Sequence, residues 1–398
     1  MGLGGFLNRD VAAEAWRWGL WFKILRYAEE ISSSRARARG GLVSVVRSGA
    51  GVSPDDRAVT AERCAAQWLS GDPAGSAEEV ARRLLAVQAQ DPHGARLAVR
   101  ARSAGLSAAD VDSALARGSL VVSWLNRGTL HLVCAEDYWW LHPLTTPQVR
   151  AGNARRLAQE GVPPGDAERA VTTVRDALAA DGPLTRSRLR ERVAAAGVRT
   201  EGQALVHILL LASIRGLIVR GPVVGRDQAF VLARDWLGAP PAALGREAAL
   251  GELARRYLAG HAPATDRDLA RWAGIGLRDA RLGLARGGAV QRPDGLAELP
   301  GNPRRAVATL PPPRLLGAFD PLLLGWASRD PIIGPHRHIV TVNGLFRPFA
   351  LVDGRAVATW TINAGQVVLT PFAVLDPKTQ AALNTDAADV TRFLGKQG

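Results

Sequence analysis

Lysine is nearly missing from this 398-residue chain. It occurs only at Lys23, Lys378 and Lys396, while arginine and alanine recur throughout. A Schiff-base step needs an amine nucleophile, so covalent lyase chemistry loses its usual side chain. Cysteine is equally scarce: Cys64 and Cys134 are the whole supply, and neither sits in a CxxC pair. That is far from the density of small secreted scaffolds and points to a reducing, cytoplasmic setting. His336 and His338 are the only closely spaced histidines, with no cysteine or acidic cluster beside them, so no metal site is expected. GxxxxGK[ST] and GxSxG are both absent, which removes sequence support for phosphate-loop and nucleophile-elbow chemistry. No run of about 18 apolar residues is present to span a membrane. The reading is therefore a chain without cofactor, metal or membrane span.

What is abundant is positive charge. The formal net charge is +13 on a chain that is 47% hydrophobic. Such a chain has a core to bury and an attraction for polyanions, of which nucleic acid is the leading candidate. Coding from a GC-rich genome explains arginine over lysine, but not the excess of basic over acidic residues. The N-terminal "AAEAWRWGLWFKILRYAEEI" has aromatic and basic residues at helical spacing, a pattern suited to a membrane surface or a partner. It runs into the linker-like "SSSRARARGGLVSVVRSGAG", and residues 1–54 are read as a flexible or dispensable extension.

From Thr60 a grammar of short helices followed by a strand pair repeats. "SAEEVARRLLAVQAQ" reads as one helix, opened by Ser76 with Glu79 three residues on. "SAADVDSALARGSL" is another, with Ser107 and Asp110 in the same relation, and "VVSWLNRGTLHLV" is a hairpin turning at Asn126, Arg127 and Gly128. Helices joined by "DGPLT" and the hairpin "GLIVRGP…QAFVLARDWL" repeat the pattern, as do "PATDRDLARWAGI" and "AVQRPDGLAEL". After "TLPPPRLL", Asn343-Gly344, Asp353-Gly354 and Asn363-Ala364-Gly365 punctuate strand-length apolar runs. The fold expected is α+β: three tandem winged helices at 55–150, 165–240 and 245–302, then a small C-terminal β-barrel or meander at 310–398.

Within the first unit, "LLAVQAQDP" places Gln88 and Gln90 where a core helix would carry aliphatics. With "SWLNRGTLHLV", "EDYWWLHPL", "PATDRDLARWAGI", "LLGAFDPLLLG" and "NGLFRPFALVDGRAVATW" it forms an ordered set from about Val59 to Gly395. In that order the set resembles the winged-helix DNA glycosylases of the AlkZ and AlkX type. The resemblance implies a catalytic motif of Gln, an apolar residue and Gln or Asp. Gln88, Ala89 and Gln90 match its two-glutamine, AlkZ-like form, which is associated with self-resistance to DNA-crosslinking natural products. Asp91 stands one residue later as a catalytic or supporting alternative.

That implied function is hydrolysis of the N-glycosidic bond of N7-alkylated purines, in bulky adducts or interstrand crosslinks. An N7-alkylated base is cationic and already a good leaving group, so two neutral amides suffice to orient water and stabilise an oxocarbenium-like sugar. Arg127, Thr129 and His131 resemble the family's RGT-x-H element and are expected either to meet a phosphate or groove edge together or to form a wing turn with His131 facing the core. His336, Arg337, His338 and Arg347 are expected to border the DNA channel. The partner implied is double-stranded DNA carrying alkylated or crosslinked purines, and the expected protein is a monomer associated with the nucleoid. The alternative reading, from fold logic alone, is a non-enzymatic winged-helix regulator or damage sensor.

Overall fold

The computed structural model describes residues 54–301 and 309–395. The N-terminal extension up to residue 53, with its amphipathic pattern, lies outside the described residues. Five strands, β1 (Val87–Gln88), β2 (Leu120–Leu125), β3 (Thr129–Cys134), β4 (Ile218–Val224) and β5 (Asp227–Leu232), make one sheet in the order β1-β3-β2-β4-β5. Every neighbouring pair is antiparallel. The hairpins of the first two repeats thus join in one sheet, through Val122 opposite Arg220.

Alternation explains why both faces of that sheet are covered. Leu120, Val122 and Trp124 on β2 join one buried cluster with Leu130 and Leu132 of β3. Val121, Leu125 and Val133 join the other. Successive side chains on a strand leave on opposite faces, so an apolar run of this length needs cover on both. The helix Ala204–Ile214 lies in the first cluster, with ten of its eleven residues buried. Helices Ala135–Thr145 and Arg246–His261 contribute Tyr138, Leu141, Tyr257 and Leu258 to the second.

The sequence expectation of one helix through Gln90 is corrected here. The helix is Ala77–Leu84, capped by Ser76, whose hydroxyl accepts from the Glu79 amide at 3.2 Å. Leu85 then takes φ +62°, which breaks the helix, and the chain pairs with β3. The next helix, Pro92–Arg100, begins at an Asp91 cap. Its first turn touches the backbone at Ala318, where any side chain on Gly94 would collide with the Ala318 carbonyl. The helix Ala108–Ala116 begins as read, with Asp110 accepting from the Ser107 amide at 2.7 Å.

In the third repeat, helices Arg246–His261, Asp266–Ala273 and Leu277–Arg286 precede a two-stranded pair, β6 (Val290–Gln291) and β7 (Ala297–Glu298). The C-terminal sheet joins β8 (Arg314–Leu316), β9 (Phe349–Val352), β10 (Arg355–Asn363) and β11 (Gln366–Pro371) in the order β11-β10-β9-β8. It is open, so the closed barrel is not formed. Asp353-Gly354 and Asn363-Ala364-Gly365 make its turns as expected, whereas Asn343-Gly344 sits in a loop before β9. The last helix, Pro377–Phe393, covers the β8 edge: Asp386 accepts from the Leu315 amide at 2.7 Å and from Arg100 at 2.8 Å.

Candidate active site

Gln88 and Gln90 are two residues apart, a spacing that separates side chains on a helix and aligns them on a strand. β1 supplies the strand as far as Gln88, and the chain stays beside β3 through Ala89 before bending at Gln90. Val87 and Ala89 are buried in the apolar cluster on one face, which leaves Gln88 and Gln90 to the other. The Ala89 amide donates to the Leu130 carbonyl at 2.7 Å. The Leu130 amide in turn donates to Gln90 Oε1 at 2.6 Å, so a side chain takes the place of a strand carbonyl.

Both amides have a fixed orientation. Leu130 N–H and the Arg127 guanidinium are obligate donors, so each must meet a glutamine oxygen. Arg127 Nη2 donates to Gln88 Oε1 at 3.3 Å. Each oxygen keeps a second lone pair, and each Nε2 has no partner among the described residues. Gln88 is 5% exposed and Gln90 half-buried, so together they form a polar ledge with little water around it.

Register adds a second row. Gln88 stands opposite His131, and His131 opposite Ser123, across β1, β3 and β2. Thr129 O accepts from His131 Nδ1 at 2.9 Å, which puts the imidazole proton there and leaves Nε2 as an acceptor. Burial, reinforced by the Arg127 charge, lowers the His131 pKa to about 3, so the ring is neutral at physiological pH. Ser123 was missed in the sequence reading. Folding the hairpin about Arg127 would have found it, because that turn centre pairs Ser123 with His131.

The three residues expected to face DNA from this wing part company. Thr129 is 1% exposed and its hydroxyl donates to the Asn126 carbonyl at 3.1 Å, while His131 is 2% exposed. Both are interior groups, not a groove-facing pair. Arg127 lies in the turn at φ +57° and points its guanidinium at the end of the Asp266–Ala273 helix. Nη1 donates to the Arg271 carbonyl at 3.0 Å and to that of Trp272. Burial, then the charges of Arg271 and Arg329, lowers its pKa to about 10, which still leaves it cationic at neutral pH.

Asp91 is placed as a cap. Its Oδ1 accepts from the amides of His93 at 2.8 Å and Gly94 at 3.2 Å. His336 stacks on Phe372 at 4.1 Å and His338 meets the same ring edge-on at 5.0 Å. Arg337 pairs with Asp330 at 2.5 Å, and Arg347 is exposed. Nearby in sequence, Arg329 lies over the Phe346 ring at 4.9 Å from its centroid. Cys134, Glu136 and Asp137 also lie close together. Arg82 and Arg256 already engage those two carboxylates at 2.8 and 2.7 Å.

Residues 81–393 match the family profile described as DNA glycosylase AlkZ-like. The chain belongs to the AlkZ-like DNA glycosylase family. An interstrand DNA cross-link repair glycosylase of Streptomyces sahachiroi is 29% identical over 372 residues, covering 85% of this chain and 96% of that protein. The solved structure of the Streptomyces sahachiroi DNA glycosylase AlkZ superposes with a TM-score of 0.67 at 27% identity, over 85% of this chain and 96% of that one. The AlkZ-like match covers the glutamine ledge, the hairpin and the C-terminal sheet alike.

Buried histidines give this AlkZ-like chain a pH signature. His131 and His261 titrate near 3 and His207 near 4, with burial the first cause in each. The unfolded chain binds protons at these sites below about pH 6.5 while the folded one does not, so stability is full above that value and declines as pH falls. His131 and His261 each lose about 2 kcal/mol by pH 5. A thermal midpoint that drops steadily from pH 7 to 5 is expected; a flat profile would contradict neutral burial of these rings.

Proposed function

We propose that this AlkZ-like protein is a monofunctional DNA glycosylase that releases N7-alkylated purines, including those in bulky adducts or interstrand crosslinks. The observation that carries the reading is the pair of oriented, uncharged amides on β1 and the bend that follows it. The C1′–N9 bond breaks with its electron pair passing to the cationic base, which leaves neutral. A water held at the free lone pairs of Gln88 and Gln90 Oε1 adds to C1′ of the oxocarbenium-like sugar and loses its proton to solvent. Neutral amides have no means of driving out a neutral base. Asp91, engaged as a helix cap, is assigned to structure.

Monofunctional chemistry fits the lysine supply. Lys378 is the one lysine among the described residues and sits on the exposed first turn of the C-terminal helix. The cavity behind Ala89, lined by Ala95, Val111, Leu115, Val122 and Leu132, has room for little more than one water. It does not take a flipped base. A base that a crosslink ties to the opposite strand cannot be flipped into a tight pocket, which fits the lack of room there. The relative's crosslink-repair role supports the same lesion class here, and self-resistance to a DNA-alkylating metabolite is the proposed setting.

The element order supports three tandem winged helices with the boundaries expected from sequence. A major-groove regulator fits less well. The helix before the first hairpin, Ala108–Ala116, carries Asp110 and Asp112 and no basic residue. Its counterpart in the second unit, Ala204–Ile214, is buried. In the third unit Arg281 and Arg286 pair with Asp266 and Glu247, while Arg278 is exposed without an ion pair among the described residues. Replacing Arg278 with Ala should weaken binding equally across sequences and lower the salt slope by about one phosphate contact; an unchanged slope would remove this helix from the DNA interface.

The defining experiment compares duplexes carrying 7-methylguanine, a guanine crosslink, or a neutral lesion such as uracil. Release of the two cationic bases and not of uracil is expected. Equal release of all three would contradict the leaving-group argument, and binding without release of any would favour the damage-sensor reading.

A further inference from the structure

We infer that Arg127 is a positioning residue for Gln88, held in place by the third helical unit, and not a phosphate contact. The inference rests on the glycosylase reading for its kinetic consequences and on geometry for its structural ones. Four observations converge on it.

The guanidinium spans two elements that are far apart in sequence. Nη1 donates to the Arg271 carbonyl at 3.0 Å and to the Trp272 carbonyl, while Nη2 donates to Gln88 Oε1 at 3.3 Å. The last carbonyls of a helix lack intrahelical donors, and its C-terminal end favours a cation. The end of Asp266–Ala273 is therefore a natural seat for Arg127. Gln148 completes the joint by donating to the Gly274 carbonyl at 2.9 Å and to that of Thr145 at 2.8 Å.

The backbone is fitted to the same contact. Arg127 takes φ +57°, a region that non-glycine residues enter only when their surroundings over-determine them. On the facing side Gly274 has φ +72°, and a Cβ there would stand 2.8 Å from the Arg127 nitrogen. Neither residue has room to move independently.

The electrostatics favour an internal role. Arg127 is surrounded by carbonyl and amide oxygens, without a carboxylate partner, and the Arg271 and Arg329 charges oppose its own. Its planar fork meets the helix end with one nitrogen and Gln88 with the other. A lysine ammonium is a single point and cannot reproduce that fork.

The Gln88 side chain has no other hydrogen bond among the described residues. Its placement therefore depends on Arg127, in contrast to Gln90, which the Leu130 amide fixes directly. The third unit becomes part of the active site through this one side chain.

Arg127→Lys tests the inference by three readouts: single-turnover base release at saturating enzyme, DNA affinity across a salt series, and the side-chain amide resonance of Gln88 in labelled protein. Positioning predicts a fall in rate of roughly 10- to 100-fold with affinity and salt slope unchanged. It predicts no further loss when Arg127→Lys is added to Gln88→Ala, and a displaced Gln88 amide resonance beside an unmoved Gln90 one. A phosphate contact predicts the reverse: weaker binding, a shallower salt slope and near-normal rate at saturation. That pattern, or rate losses that add to those of Gln88→Ala, would overturn the inference. If wild type releases no base yet the Gln88 resonance shifts, the glycosylase reading fails while the positioning stands. Gly274→Ala, which pushes Arg127 from behind while leaving its side chain intact, serves if Arg127→Lys does not fold. It should shift the same resonance, and an unmoved one would count against the inference.

Discussion

Replacing both Gln88 and Gln90 with alanine should lower base release from N7-alkylated DNA by roughly 100- to 1000-fold, the range for losing preorganised donors and acceptors at a reacting centre. DNA affinity should change little, because the ledge is small and the charges that hold phosphates lie elsewhere. The two single variants should differ in kind. Gln90→Ala strands the Leu130 amide beside a strand and carries a stability cost of about 1 kcal/mol or more. Gln88→Ala releases only one arm of Arg127, whose other arm stays on the helix end, so its cost falls on rate alone. Gln90→Glu is the informative conservative change, since a carboxylate still accepts from Leu130 and adds a general base. Measured rates for the pair are expected to be sub-additive, as for groups acting on one water.

Asp320→Ala should destabilise the fold by about 3–5 kcal/mol, the cost of leaving a buried charge without its partner. Arg102 and Asp320 are both fully buried and meet through two hydrogen bonds, at 2.8 and 3.0 Å. Asp320 Oδ1 also accepts from the Leu322 amide at 2.9 Å, and Arg102 donates to Gln67 at 2.8 Å and the Ala98 carbonyl at 3.0 Å. The pair ties the end of Pro92–Arg100 to the segment that leaves β8. Phe319, beside it, holds φ +58°. Because the penalty comes from the orphaned charge, Arg102→Met together with Asp320→Leu should cost much less than Asp320→Ala alone. Urea midpoints of the two variants check this, and equal losses for single and double variants would place the cost in packing instead.

How legible was this in the sequence? The ordered motifs marked Gln88 and Gln90, yet their local structure was misread. Leucine is a good helix former, so nothing in "ARRLLAVQAQ" signals that Leu85 turns left-handed; pairing with a distant strand overrides propensity there. The hairpin at Asn126–Gly128 was readable because its turn chemistry is local. The joining of two hairpins through Val122 and Arg220 was not, since no local pattern encodes which edges meet. Arg127 was visible as a residue of interest, but its partners come from a helix 144 residues away in sequence. Asp91 shows the opposite case: a carboxylate before proline and three residues before Gly94 is a cap signal that could have been taken at face value. That cap engages Asp91 through its Oδ1, at the start of the helix that follows the two glutamines.

The central claim, that the oriented amides of Gln88 and Gln90 release cationic purines from duplex DNA, is tested most directly by single-turnover release of 7-methylguanine, quantified as free base. The account predicts free base and an unbroken strand bearing an abasic site from the wild type, and release slower by roughly 100- to 1000-fold from Gln88→Ala/Gln90→Ala. Equal release by wild type and the double variant would contradict it.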